Sequence, residues 1–404
     1  MRLPVAAAAA LLALTAAAAR AESLGGPFLA PPPAPTDEPV LVTAPPYRIE
    51  SVAARFTYFD QDGLGYQSAA GPVLGPGSER ATIAEPQSEV VAAVGDRLVE
   101  RVAVSLDVVT AASPNHKLYG LPVGTPVDAI SSPSRINEAE QIDVDSTYAW
   151  GRTTFGLHAD YHVEEPLESW GLGAMVTRAF ADDNTVLSAS VFQLVDWFDN
   201  FDLAGKRHGR DVRSTTNANL GFSQLLSPTT IALVSYGLTV QSGTLTNTWN
   251  SVPLADGTRG TELVPRQRLR HAVSGRLVQW LPWEGALRLG LRYYADSWGS
   301  VARTVDAALS QRIGRLTLEL GGRYHRQTAV DFFGTLFDPG APGYRSSDSD
   351  LGGLDAWAAS AGARWEQPIG RQGHRLTFAL TGERYVRSNN LHVEFVSGAL
   401  GWQL

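Results

Sequence analysis

The segment LHADYHV, residues 157–163, places two of the chain's eight histidines and an aspartate at every second position. His158, Asp160 and His162 share one face of an extended strand, because successive side chains of a strand point to opposite faces. Imidazole and carboxylate groups at this spacing suit a divalent-cation site, an acid–base pair or a salt-bridge network. The elements that surround the segment decide which chemistry is available.

The segment belongs to a pattern that fills the chain from Tyr47 onward. Runs of about 9 to 13 residues alternate apolar with polar or small side chains, as Leu318, Leu320 and Tyr324 do in TLELGGRYH. Very short turns and longer loops rich in Gly, Ser, Pro and Asp join these runs in alternation. The pattern predicts an all-β transmembrane antiparallel barrel of about 16 strands, with roughly 14 to 18 possible, short periplasmic turns and long extracellular loops.

Aromatic residues fall into two groups along the predicted strands. The short-turn ends carry Trp150, Trp280, Trp283, Trp365 and Trp402. The long-loop ends carry Trp170, Trp197, Trp298, Trp357, Tyr58, Tyr161, Tyr293, Tyr324 and Tyr385. Amphipathic rings prefer the level of the lipid headgroups, so this placement predicts two aromatic girdles and a bacterial outer-membrane location.

The two ends of the chain predict export and membrane insertion. Residues 1–21 have a basic start, an apolar run and an Ala-Arg-Ala end, which are the features of a signal peptide. The Pro-rich residues 22–46 indicate a periplasmic linker, and residues 47–404 form the barrel domain. Within the linker, residues 38–44 look like the box with which TonB-dependent receptors engage an energy-coupling partner; an ordinary linker is the alternative. The C-terminal strand, which ends at Leu404, is the expected signal for the outer-membrane insertion machinery.

Composition and the absence of common catalytic motifs exclude several classes of function. A formal charge of −8 argues against a nucleic-acid partner, and the absence of cysteine excludes disulfide bonds. The chain has no Walker loop, HExxH motif, GxSxG elbow or dinucleotide fingerprint. An enzyme is therefore not expected.

If apolar positions face lipid, the alternate positions line the lumen. The turn Gly151-Arg152 joins two strands and fixes their register. The predicted opposed pairs are Trp150 with Thr153, Asp145 with His158, Asp143 with Asp160, and Gln141 with His162. Directly opposed side chains approach within about 5.5 Å at Cβ, so this register predicts that His158 and Asp145 touch.

The predicted lumen cluster is open to three interpretations. Its members are Asp143, Asp145, His158, Asp160 and His162, and the basic residues expected to face the same lumen are Arg55, Arg101, Arg276, Arg292 and Arg323. The first interpretation is a salt-bridge network in which these arginines neutralise the carboxylates across the lumen. Opposed Asp143 and Asp160 repel unless a proton, a cation or an arginine lies between them. The second is a divalent cation held by Asp143, His158 and Asp160; no other cofactor is expected. The third is hydrolysis, for which no nucleophile is identifiable.

Three segments resemble an uncharacterised family of bacterial outer-membrane proteins, known only as a domain of unknown function. They are RFTYFDQDG, PQSEVVAAVGDRLVERVAVSLDVVTAASPN and HADYHVEEPLESWGLGAMV. The resemblance runs through most of the chain from Tyr47, and residues 107–114 are its most distinctive part. It implies an outer-membrane barrel and brings no assigned activity.

Barrels of this size leave a water-filled channel unless loops plug it. The leading hypothesis is therefore a pore or substrate-selective channel for small solutes in outer-membrane lipid, narrowed if residues 111–139 or 327–354 fold into the lumen. One alternative is a non-conducting barrel whose loops bind a surface partner or support envelope assembly. The other is an outer-membrane hydrolase. The sequence does not predict an oligomeric state.

Overall fold

The computed structural model describes residues 47–62, 81–111, 136–164, 167–202, 206–246, 250–370 and 373–404. The predicted signal peptide, the linker with residues 38–44, and most of the predicted loops 61–85 and 111–139 lie outside these ranges. In the described part of the chain, no helix has the length and apolar character needed to cross a membrane.

Within the described ranges, sixteen strands form one closed antiparallel barrel, the number that the alternation predicts. They are β1 (Tyr47–Asp62), β2 (Ala81–Val94), β3 (Leu98–Ala111), β4 (Ile136–Trp150), β5 (Thr153–Glu164), β6 (Leu167–Phe180), β7 (Thr185–Phe201), β8 (Arg207–Ser227), β9 (Thr230–Gly243), β12 (Gln267–Leu281), β13 (Gly285–Asp296), β14 (Val301–Ile313), β15 (Leu316–Gln327), β16 (Leu354–Ile369), β17 (His374–Arg387) and β18 (His392–Gln403). A separate hairpin contains β10 (Ser251–Pro253) and β11 (Arg259–Thr261). The ring closes where β18 pairs with β1, from Ser51 opposite Gln403 to Asp62 opposite His392.

The outer wall of the barrel is apolar and the inner wall is polar. On β5, Leu157 is 65% exposed on the outside, while Gly156 beside it is buried. β7 carries large apolar side chains at both odd and even positions, and the structure shows which of them face outward. Leu187 and Val191 are exposed on the outer face, and Phe192 lies inside against His158. Wide exposure of large apolar side chains around a closed barrel is typical of a wall that contacts lipid.

The aromatic girdles form with three corrections. Trp150 is exposed on the outer face at one end of the barrel, and Trp170 is exposed at the other. Trp280 was predicted for the girdle at the short-turn end, but its pairing with Ala286 places it on the inward-facing side of β12. Trp298 was predicted for the outer girdle but is only 5% exposed, because it packs under two loops. Tyr385 faces inward, and its hydroxyl accepts a hydrogen bond from Arg387 Nε at 2.9 Å.

Two long loops fold together into a cap, which we define as residues 250–264 and 328–353. Isolated bridges join the loops at Leu254 with Phe337 and at Leu263 with Arg345. The core of the cap is an apolar cluster of Val264, Trp298 and Val330. The sequence predicts residues 242–267 as loop and misses the β10–β11 hairpin, because strands of three residues carry too little alternation to detect.

The cap is fastened to inward-facing side chains at the long-loop end of the barrel. Gln327 donates from Nε2 to the carbonyl oxygens of Asp350 and Gly352, both at 2.8 Å. Arg387 forms an ion pair with the Asp350 carboxylate. Because Gln327 and Arg387 point inward, these contacts draw the turn at residues 349–351 toward the lumen mouth.

The two faces of β17 give a test of the membrane orientation. Leu380 is 57% exposed on the outer face, and its neighbour Thr381 is exposed inside the barrel. Leu380→Arg should lower the free energy of unfolding by about 2–4 kcal/mol, because it places a charge in the middle of the lipid-facing wall. Thr381→Arg should stay within about 1 kcal/mol of the wild type, because water solvates the guanidinium. Urea unfolding in lipid vesicles measures both, and equal losses in the two variants would contradict the assigned facing.

Candidate functional site

The register between β4 and β5 is the predicted one. Trp150 pairs with Thr153, and the ladder then sets Asp145 opposite His158, Asp143 opposite Asp160 and Gln141 opposite His162. Asp145 Oδ1 and His158 Nδ1 lie 2.7 Å apart, so the predicted contact is confirmed.

His158 sits between three carboxylates. Its Nε2 lies 3.2 Å from Asp160 Oδ1 and 3.9 Å from Asp143 Oδ1, while its Nδ1 faces Asp145. An imidazolium with protons on both nitrogens donates to Asp145 and Asp160 at once. A protonated His158, two residues before Asp160 on β5, therefore supplies the positive charge that reduces the repulsion between Asp143 and Asp160.

Arg101 on β3 extends the cluster into a network. Its Nε lies 2.7 Å from Glu89 Oε2, and its Nη1 lies 2.7 Å from Asp145 Oδ2. The Glu89 side chain is only 4% exposed, so this carboxylate depends on Arg101 for charge compensation. Arg55 on β1 lies beside the network, with Nη2 3.7 Å from Glu85 Oε1.

Two glycines of β6, Gly171 and Gly173, leave the space that the cluster occupies, and they are not among the predicted site residues. A Cβ atom at Gly171 would lie 2.0 Å from Asp160 Oδ1 and 2.5 Å from Phe192 Cζ. The Phe192 ring packs on His158, with 5.5 Å between the ring centroids. The available signal was the inward alternation of Gly171 and Gly173 in WGLGAMV, which is opposite the His158 and Asp160 positions in the register.

The remaining predicted residues do not join this cluster. His162 lies nearer the long-loop end, where its Nε2 is 3.9 Å from Glu164 Oε1. Arg276 and Arg323 lie on β12 and β15, and the ring order places β14 and β15 across the lumen from β4 and β5. Within the described ranges these two arginines form no ion pair, so they do not neutralise the cluster across the lumen. Arg292 faces the lumen between them on β13, opposite Thr304.

The positions of the carboxylates and of the His158 ring can be compared with the requirements of a divalent-cation site and of a hydrolase. No group of three or more His, Asp or Glu side chains in the described part of the chain is arranged to hold a metal ion. The divalent cation at Asp143, His158 and Asp160 stays a prediction. A general base needs a ring nitrogen directed at the proton that it removes, whereas both nitrogens of His158 contact carboxylate oxygens.

A second group of carboxylates lies in the cap, outside the membrane wall. Glu262 is 2% exposed and accepts a hydrogen bond from Ser346 Oγ at 2.5 Å. Asn250 Nδ2 donates to Asp348 Oδ2 at 3.1 Å. Burial, together with the nearby Asp350 carboxylate, raises the pKa of Asp348 to about 6, although the hydrogen bonds from Asp350 N–H and Asn250 and the charge of Arg387 lower it.

His158 gives the first prediction for the site. His158→Gln removes the imidazole that lies among Asp143, Asp145 and Asp160, which should lower the free energy of unfolding by about 1–3 kcal/mol. His208→Gln is the matched control, because His208 is 69% exposed and its Nε2 lies 3.7 Å from Asp202 Oδ2. The control should change stability by less than about 0.5 kcal/mol. Urea unfolding in vesicles measures the free energy of unfolding of both variants. A His158→Gln variant as stable as the wild type would refute the network.

Asp348 gives a pH prediction for the cap. Its pKa is about 6 in the folded cap against 3.8 for an ordinary aspartate, so folding favours the protonated form. The cap should therefore be most stable below about pH 4, lose stability as the pH rises to about 6, and change little above that value. Hydrogen exchange of residues 328–353, corrected for intrinsic rates, measures the loss.

Asp348→Asn should abolish that pH dependence. Asp256→Asn, a control in the same cap at a carboxylate that Thr258 binds, should retain it. Equal protection of the wild-type cap at pH 4.5 and pH 7.5 would show that Asp348 does not control the cap.

The chain is similar to solved structures and to one protein family. OccK1 (OpdK) of Pseudomonas aeruginosa is similar at 11% identity and a TM-score of 0.42, over 89% of this chain and 98% of that chain. A BenF-like porin from Pseudomonas fluorescens Pf-5 is similar at 10% identity and a TM-score of 0.42, over 89% and 99% of the two chains. No curated protein matches. Residues 46–394 match the family described as "Protein of unknown function (DUF3570)", and the chain belongs to that family.

Proposed function

We propose that this protein is an outer-membrane pore or substrate-selective channel for small solutes. The observation that carries the proposal is the unequal filling of the barrel interior. On β2–β7, ion pairs and Phe192 fill the space along the wall. On the opposite side, Arg323 and Thr381 point inward and are exposed, which supports a water-filled path along β13–β17.

Small side chains keep that path wide. The inward positions of β13–β17 include Gly290, Ala308, Gly321, Ser360 and Ala379. A ring of sixteen strands encloses more space than such residues can fill, so a continuous aqueous lumen follows from strand number and residue size together. The cap narrows one mouth, because Gln327 and Arg387 hold its turn toward the lumen.

The cap also favours a second candidate, a non-conducting barrel that binds a surface partner. Tyr344 is 58% exposed, and Leu263 is exposed on the same two-loop unit. A rigid loop pair that displays apolar side chains suits protein contacts. In this candidate the cap seals the lumen instead of narrowing it.

Conductance in a planar bilayer separates the candidates. A channel should give steady single-channel steps, and Thr381→Trp should lower them about twofold or more because the indole enters the path. Leu380→Trp is the matched control, since the same side chain at the next position points to lipid and should leave the steps unchanged. A bilayer that stays sealed at high protein load would refute the channel and favour the binding role.

A further inference from the structure

A row of five inward-facing residues crosses the lumen wall opposite the acidic cluster. Arg276 on β12 pairs with Gly290, Gly290 pairs with Asp306, Asp306 pairs with Arg323, and Arg323 pairs with Ala358. Neighbouring strands are about 4.8 Å apart, so the two arginine backbones are separated by about 14 Å. We call the wall between them the arginine recess.

The floor of the recess is low. A Cβ atom at Gly290 would lie 2.4 Å from Asp306 Oδ1, which shows that the Asp306 carboxylate lies over the glycine, close to the wall. Ala308 and Gly321 occupy the next row, paired with each other. Arginine side chains are longer than those of aspartate and alanine, so the guanidinium groups of Arg276 and Arg323 can extend farther into the lumen than this floor does.

The arginines around the recess differ in whether they form ion pairs. Arg288 at its lower edge is paired with Glu319, whereas Arg276 and Arg323 form no ion pair within the described ranges. Asp306 and Glu383 are the carboxylates that face them, and Arg292 adds a third guanidinium on β13.

Elsewhere on the inner wall, two arginines have carboxylate partners. Arg101 is held by Glu89 and Asp145, and Arg213 on β8 is held by Asp196, with 2.6 Å between Arg213 Nε and Asp196 Oδ2. The guanidinium groups of Arg101 and Arg213 are thus engaged by carboxylates, whereas those of Arg276 and Arg323 form no ion pair among the described residues and can meet a solute.

We propose that the arginine recess binds small organic carboxylates as they cross the lumen. A planar guanidinium with its fork of N–H donors matches a carboxylate bidentately. The two arginines flank a floor of glycine, alanine and the low-lying Asp306 side chain, which leaves space for a small carbon body. This assignment rests on the proposed channel function for its transport role. The binding itself needs only the recess.

Calorimetry on the full chain in detergent at low salt tests the binding, with succinate and inorganic phosphate as probes. Succinate should bind more tightly than phosphate, and Arg276→Gln with Arg323→Gln should weaken succinate about tenfold or more. Arg303→Gln is the matched control, because Arg303 is an exposed arginine on the outer face of β14 and should change affinity less than about twofold. Absence of succinate binding, phosphate binding at least as tight, or an equal loss in the control would overturn the proposal.

Two further measurements keep the result interpretable. Arg276→Lys with Arg323→Lys retains both charges without the planar fork, so it should bind succinate with intermediate affinity and shows that a loss in the Gln variants is not misfolding. In a salt gradient across a bilayer, the Gln variants should shift the reversal potential toward cation selectivity. A sealed bilayer with succinate binding intact refutes the channel and leaves the recess standing; conductance without binding and without that shift refutes the recess.

Discussion

Pairing of every backbone N–H and C=O is the constraint on which this structure depends, because lipid offers no hydrogen-bond partner. The ladder from β1 to β18 meets it by closing the sheet into a ring. Once the ring is closed, each side chain points either to lipid or to the lumen. Leu157 and His158 are neighbours in the chain and yet face opposite media, and the chemistry of the protein is confined to the inner wall.

Charge on the inner wall is arranged in two different ways. On β2–β5, low exposure makes an uncompensated carboxylate costly, so His158 and Arg101 lie among Asp145, Asp160 and Glu89. On β12–β15, the Arg323 side chain is exposed and forms no ion pair within the described ranges. The first arrangement fills space with a network, and the second leaves a surface that a solute can meet.

The cap follows a different rule from the barrel. Its residues are held by the apolar cluster around Trp298 and by polar contacts such as those of Glu262 and Asp348, instead of a strand ladder. The guanidinium carbon of Arg268 lies 4.2 Å from the Trp298 ring centroid, so an inward arginine of β12 also supports the cap. A tryptophan at a strand end thus has two possible environments, headgroups or a loop core, and local sequence does not distinguish them.

Alternation and turn residues in the sequence were sufficient to predict the strand number, the facing of most strands and the pairing of Asp145 with His158, because a two-residue turn fixes register and a one-residue slip would invert both faces. Only the tertiary structure decided what lies beyond directly opposed pairs. Gly171 lies against Asp160, and Trp298 is buried beneath the cap. Arg101 pairs with Asp145, whereas Arg276 and Arg323 lie across the lumen from the cluster. These outcomes depend on ring closure and loop packing between residues far apart in the chain, which no local period encodes.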